Sequence, residues 1–351
     1  MFKGLEITVI YNDPMMIEPK PEVIDASITE VRNEIEFIVN SLEDAGFRVK
    51  VLPVYNSRRF ISDLLNLKTD LIYNFCEMVE LESIEEVFAA GLYELLRIPY
   101  TGAPPMTLGL CLDKARTKIV LSYYNIPTPK FEVFKEPLNG YAKVNLNFPL
   151  IVKPVREDAS AGITKESVVY EVKELEERVE FIIKSFKQPA VVEEFIDGRE
   201  INVAILGNNP PIVLPISEID FSKLPEHYPK IVSYEAKWIP NTEYYEKTIP
   251  ICPAPLEPEL EEKVKEIALS CYRITGCRDY ARVDMRIDKD GNLYVLEVNP
   301  NPDLSRNAGF MRSASVYGLT PAETIVKIAE IALERSYANK EVQKIKIGRK
   351  S

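Results

Sequence analysis

The sequence predicts an α/β fold built as several lobes, each mixing strands and helices. Three features carry that expectation: an opening strand–helix–strand unit, a proline-punctuated β-rich middle, and a strongly alternating hairpin around Asp290. With 351 residues, 46% of them apolar, the chain can bury two or three packed cores.

Leu5–Tyr11 is an apolar run suited to a buried parallel strand. A helix is expected from near Thr29, where Val31, Ile35, Ile38, Val39 and Leu42 recur at helical spacing. Ser27 and Glu30 have capping-box spacing at its start, Gly46 can end it, and Val49–Pro53 returns as a strand. A further strand is expected at Asp70–Phe75, then a helix opened by the Ser83/Glu86 spacing and closed by IPYTGAPP. A short helix over Lys114–Tyr124 stops at the prolines of NIPTPKF, and strands follow at Phe131–Phe134 and Pro149–Val155. The small-residue loop REDASAGITKES precedes a helix at Val172–Phe186 and strands at Ala190–Phe195, Glu200–Leu206 and Pro211–Ile216. A helix at Leu260–Ile274, the hairpin Tyr280–Val298 and a helix at Pro321–Ser336 complete the chain. The expected division is a βαβ domain over 1–111, a small central lobe over 112–197, a larger lobe over 198–339 and a basic, solvated tail over 340–351.

The net charge of −11 offers no basic face for nucleic acid, and no apolar run reaches the ~20 residues of a bilayer span. The start lacks an export signal, and the five cysteines form no CxxC pair, so a cytoplasmic protein with reduced thiols is expected. His227 is the only histidine and reads as a loop residue, which disfavours a serine–histidine triad or a multi-histidine zinc site.

The most informative stretch is DYARVDMRIDKDGNLYVLEVNPNPD. If Asp290-Gly291 is a two-residue turn, Asp284 faces Glu297, Arg282 faces Asn299, Val283 faces Val298 and Met285 faces Leu296. Two carboxylates and an amide then share one face, a hard-oxygen set suited to Mg²⁺ or Mn²⁺ bound together with phosphate. Alone, the same carboxylates would equally suit a solvated sheet face with Arg282 pairing one of them.

Several motifs, in order, resemble the ATP-grasp superfamily and, within it, D-alanine–D-alanine ligases: RIPYTG, LCLDKARTK, IPTP, FPLIVKPV, REDASAGITK, VVEEFIDGREINVAILG, SYEAKW and LEVNPNPD. The resemblance implies an ATP-grasp architecture behind an N-terminal βαβ domain. It implies ATP and Mg²⁺ (or Mn²⁺) as cofactors, small carboxylate and amine substrates, and a homodimer by analogy. Lys114, Lys153 and Lys237 are the implied phosphate-reaching lysines, and Ser160, Ala161 and Gly162 the loop whose N–H groups approach phosphate. Glu193 and the backbone of Phe195 and Ile196 are implied at adenine, Glu200 at the ribose, and Leu296 among the ATP-binding residues. Asp284, Glu297 and Asn299 are the implied metal ligands.

In the implied mechanism a carboxylate attacks the γ-phosphate and an amine then attacks the acyl phosphate, with Arg282 and Lys237 as catalytic groups. Departures gather at the amino-acid pocket. Asp303 stands where the family has a glycine, Trp238 replaces a tyrosine, and Ala159 replaces a serine. Glu30 is the available substitute for a glutamate that receives the substrate ammonium. An indole has one donor and no acceptor, so Trp238 either walls a changed pocket or packs the closed loop. A ligase for another amino acid or acid pair, and a non-catalytic ATP-binding protein, are the alternatives. The complete lysine, arginine and carboxylate set argues against the latter.

Overall fold

The computed structural model describes residues 2–12, 24–54, 56–77, 79, 83–138 and 144–348, with side chains described for all of these except 24–30 and 340–348. No described helix is long and apolar enough to cross a membrane. The first lobe contains β1 (Glu6–Asn12), α1 (Ile24–Asp44), β2 (Arg48–Val54), α2 (Ser57–Asn66), β3 (Leu71–Phe75), α3 (Glu85–Leu96) and α4 (Pro105–Leu112). Its parallel sheet has the order β2-β1-β3. Ile7 and Val9 on one face of β1 and Thr8 and Ile10 on the other are all buried, as a strand covered on both faces requires.

The connecting helix α5 (Lys114–Tyr123) leads into β4 (Phe131–Phe134), β5 (Leu150–Pro154), β6 (Val168–Val169), α6 (Val172–Phe186) and β7 (Ala190–Glu194). These strands form an antiparallel sheet in the order β4-β7-β5-β6. The third sheet takes β8 (Gly198–Leu206), β9 (Ile212–Val213) and β10 (Ser217–Asp220). After α7 (Tyr234–Trp238) and α8 (Glu243–Lys247) it gains β11 (Ile249–Ile251) and, beyond α9 (Pro258–Thr275), β12 (Tyr280–Asp288) and β13 (Leu293–Asn299). Its order is β11-β10-β8-β12-β13, with β9 also on β8. The chain ends in α10 (Gly309–Tyr317) and α11 (Pro321–Gly348).

Four local expectations are corrected. The first helix starts at Ile24, so Ser27 lies inside it rather than capping it. Ile84, without a side-chain cap, precedes α3, and Glu86 serves a tertiary contact instead of a capping box with Ser83. The last helix continues to Gly348 through the expected tail, and its buried Ile325, Ile328 and Ala332 pack with Ile7, Ile38 and Tyr73 of the first lobe. The unexpected α2 is capped by Asn56, whose side chain accepts from the Arg59 N–H at 3.1 Å, and buries Phe60 and Leu64 one turn apart.

The hairpin departs from expectation as well. The Asp288 N–H donates to the Asn292 carbonyl (3.0 Å) and the Gly291 N–H to the Asp288 carbonyl (3.1 Å), so Lys289, Asp290 and Gly291 form a three-residue loop. Gly291 takes φ +83°, the left-handed position such a loop requires. Met285 therefore pairs with Val295, not Leu296. A bulge at the Asp284/Met285 step absorbs the extra residue and restores Asp284↔Glu297, Val283↔Val298 and Arg282↔Asn299.

Candidate functional site

The polar face of the hairpin extends onto β8, where Asn202 is paired with Asp284 and Glu200 with Arg286. Asp284 is 6% exposed and fully engaged. Its Oδ1 accepts from Arg282 Nε (2.7 Å) and Asn202 Nδ2 (2.7 Å), and its Oδ2 from Arg282 Nη2 (2.7 Å) and Asn299 Nδ2 (2.9 Å). Burial opposes the charge on Arg282, but the Asp284 carboxylate outweighs it and raises the arginine's pKa. The opposed Glu297 lies 3.4 Å from Lys114 Nζ. Burial would raise the Glu297 pKa, yet Lys114, Lys153, Lys237 and Arg282 together hold it far below the usual carboxylate range.

Lysines converge on this face from the neighbouring elements. Lys114, at the start of α5, donates to the Glu157 carbonyl at 2.5 Å; burial alone would lower its pKa, and Glu297 reverses that. Lys153 of β5 donates to Glu193 Oε2 at 3.0 Å, and Lys118, one helical turn beyond Lys114, reaches the same oxygen at 3.4 Å. Lys118 also donates to Thr128 Oγ1 and the Leu296 carbonyl, and burial lowers its pKa to about 8 despite Glu193. Glu193 is completely buried and its Oε1 has no partner. Its pKa is lowered because Lys118 and Lys153 outweigh burial.

The loop between β5 and β6 closes the site. Lys114 Nζ lies 3.9 Å from Asp158, whose pKa is raised by desolvation against the pull of Lys114. Ala159 (φ +53°) and Ser160 (φ +62°) both occupy the left-handed region, a strained arrangement for residues carrying a Cβ. Two bonds from the α7 segment hold it: Trp238 Nε1 donates to the Ala159 carbonyl (3.1 Å) and Ser160 Oγ to the Val232 carbonyl (2.9 Å). The Ala161 N–H donates to the Asp158 carbonyl (2.9 Å), and Gly162 (φ +74°) lies where a Cβ would meet Phe186 at 2.7 Å. Trp238 thus latches the loop through its single donor, joining the two positions at which the sequence departs from the tyrosine and serine of the resemblance. Trp238→Phe removes that donor, and the KM for ATP is expected to rise about three- to tenfold, as loss of one hydrogen bond allows.

The remaining expected site residues have the following surroundings. Glu200 accepts through Oε2 from the Nη2 (2.7 Å) and Nε (3.2 Å) of buried Arg286. The Phe195 N–H is taken by the Pro149 carbonyl and the Ile196 carbonyl by Arg286 Nη1. Lys237 faces the cleft from α7, where desolvation and then Arg282 lower its pKa. Asp303 folds back on Ser305, accepting from its N–H (2.7 Å) and Oγ (2.9 Å). The side chain of Glu30 lies outside the described residues. The His227 ring makes a tilted contact with Tyr228, ring centroids 4.6 Å apart.

Sequence reading missed Asn202, Lys118, Asp158 and Glu86. Asn202 was legible as the polar residue after Glu200 among Ile201, Val203 and Ile205. Glu86 accepts from Asn301 Nδ2 at 2.6 Å, and burial raises its pKa to about 8. A carboxyl raised in the folded state stabilises it below the unfolded pKa, and that stability is lost as pH rises toward 8. Glu86→Gln is therefore expected to raise the melting temperature at pH 8 but not at pH 4.5, by about 1–2 kcal/mol of stability. Equal melting shifts at both pH values would contradict this.

Among the described residues no group of three or more His, Cys, Asp or Glu could hold a metal. The two carboxylates and one amide carbonyl of this face fit an ion only when other oxygen donors complete its shell, as phosphates would. The buried Lys114, Lys118 and Lys153, the partly buried Arg282 and the cleft-facing Lys237 suit such an anionic partner.

Residues 120–330 match the family described as D-ala D-ala ligase C-terminus. The chain is 34% identical over 277 residues to uncharacterized protein y4sG of Sinorhizobium fredii, covering 79% of each chain. It is 32% identical over 311 residues to D-alanine–D-alanine ligase of Carboxydothermus hydrogenoformans, covering 83% of this chain and 92% of the relative. The crystal structure of D-alanine–D-alanine ligase from Bacillus anthracis complexed with ATP superposes with a TM-score of 0.71 at 25% identity, covering 96% of this chain and all of the other.

Proposed function

Because the chain belongs to the D-alanine–D-alanine ligase family of ATP-grasp proteins, we propose that it is an ATP-dependent ligase joining a carboxylate to an amine through an acyl phosphate, with D-alanine the first substrate to test. The observation that carries this reading is the pairing of Asp284 with Glu297 and Arg282 with Asn299 beneath converging lysines.

Asp284, Glu297 and the Asn299 carbonyl oxygen would hold Mg²⁺. When bound, the ion neutralises phosphate oxygens and supplies Lewis-acid stabilisation. Arg282 fixes Asp284 through a two-point fork, and Asn202 and Asn299 complete that clamp. Lys114, Lys153 and Lys237 neutralise the triphosphate, and Arg282 faces the charge that develops on the carbonyl oxygen. Lys118 positions Lys153 by sharing Glu193. The Glu193 Oε1, unpartnered among the described residues, is the polar atom left for an adenine, beside the backbone of Phe195 and Ile196. Trp238 and Ser160 hold the loop shut, excluding water from the acyl phosphate.

A second reading changes only the amino acid. It is favoured by Asp303 at a glycine position and by the indole-to-carbonyl latch. Phosphate release from ATP and Mg²⁺, screened against D-alanine, L-amino acids and simple acids and amines with products read by mass, tests both. D-alanine-dependent release with dipeptide formed supports the first and release with another pair the second. ATP binding with no release from any pair would overturn both.

A further inference from the structure

We infer that the cavity between β6, α6 and the loop at His227 binds a small planar organic anion, and that its occupant steadies the phosphate loop through Arg178. The cavity encloses about 540 Å³, the size of a small-molecule site. β6 is the edge strand of its sheet, with β5 between it and the β7 strand that carries Glu193. None of the residues lining the cavity is among those assigned to ATP, the metal or the reacting groups.

Arg178 of α6 points to the charge of the ligand. It lines the cavity, is only 8% exposed, and makes no ion pair among the described residues. Its Nη2 donates to the Gly162 carbonyl (2.6 Å) and to Ser167 Oγ (2.8 Å), while its buried Nε has no partner. A guanidinium so deeply buried is ordinarily met by a carboxylate, and this one has only neutral acceptors. Burial accordingly presses its pKa downward, against a weaker pull from Glu166.

The walls point to a planar body. Tyr170 is 60% exposed and Phe181 45% exposed, and the facing loop adds His227 and Tyr228. The Arg178 guanidinium stands 4.6 Å from the Phe181 ring centroid, so charge and ring surface are adjacent. Glu166, Glu174 and Glu177 also line the cavity, but all three are exposed and engaged. Glu166 accepts from Thr164 Oγ1 and lies 3.8 Å from Lys165, Glu174 accepts from the Tyr170 N–H, and Glu177 lies 3.9 Å from Lys173. Water and salt screen those carboxylates, whereas Arg178 acts from a buried position. A ring laid against Tyr170 and Phe181 can turn its anionic group toward Arg178 and Lys165. An anion that fixes the guanidinium also fixes the Gly162 carbonyl in the loop that Trp238 latches. ATP and the anion then strengthen each other's binding by one shared factor, a coupling that rests on the ATP-dependent reading above.

The test is isothermal titration calorimetry on the full-length wild type, Arg178→Gln and Tyr170→Ala, with indole-3-acetate and its neutral isostere indole-3-acetamide as probes. Without nucleotide, the wild type should bind the acid about 10- to 100-fold more tightly than the amide, the range one charged hydrogen bond commands. Arg178→Gln should abolish that preference. Tyr170→Ala, which keeps the backbone bond to Glu174, should weaken both probes about three- to tenfold through the lost ring contact. Saturating ATP and Mg²⁺ should tighten the acid about fivefold in the wild type and leave it unchanged in Arg178→Gln. Absent binding, equal binding of the two probes by the wild type, or affinities unchanged in Tyr170→Ala overturn the site. Displacement of the acid by ATP would put the probe in the nucleotide cleft and overturn it too, and wild-type acid affinity indifferent to ATP overturns the coupling. Failure of the ligase reading shows separately, as absent phosphate release with nucleotide-free binding intact.

Discussion

Glu297→Gln is expected to lower phosphate release by about a thousandfold or more while leaving the circular dichroism spectrum and melting profile close to those of the wild type. The substitution keeps the shape of the side chain and removes its charge. Glu297 is the carboxylate that four cations hold ionised, and it faces Asp284 directly across the ladder. Glutamine supplies one weak carbonyl ligand in place of an anion, and Lys114 loses its nearest carboxylate at 3.4 Å. Raising the Mg²⁺ concentration should recover only part of the rate. A Glu297→Gln protein that fails to fold would make the residue structural. A well-folded one with wild-type turnover would remove Glu297 from the metal face.

Arg282→Lys is expected to lower kcat by about 100- to 1000-fold, the magnitude associated with losing a preorganised donor at a developing oxyanion. An ammonium cannot reproduce the two parallel bonds that Arg282 makes to Asp284, both 2.7 Å long. Asp284 would keep Asn202 and Asn299 but lose its registration against Glu297. The account therefore expects a higher Mg²⁺ requirement together with the lower kcat, at a nearly unchanged KM for ATP. A raised KM for ATP with normal kcat would make Arg282 a nucleotide-binding residue instead.

The hairpin shows how far the sequence could be read and why it stopped. Expected rungs at Asp284/Glu297 and Arg282/Asn299 are present, but through two compensating departures, a three-residue loop and a bulge. Alternation of side chains constrains which face a residue occupies more strongly than it constrains the turn. Lys153 and Lys114 were legible from motif context, whereas Lys118 was not, because its partner Glu193 lies on a different element far away in sequence. The helix cap at Ser83 failed for a related reason. Capping spacing is local, and the tertiary bond from Asn301 to Glu86 competes with it. The ion pair of Glu200 with Arg286 was likewise not legible, because the two meet only across the β8–β12 ladder.

The central claim is transfer of a phosphoryl group to a carboxylate before the amine attacks. Its most direct test is turnover with the carboxylate substrate labelled with oxygen-18, using the pair that supports phosphate release, followed by mass analysis of the phosphate. The acyl-phosphate account predicts one labelled oxygen in each phosphate formed and ADP as the nucleotide product. Unlabelled phosphate, or AMP with label in its phosphate, would contradict it.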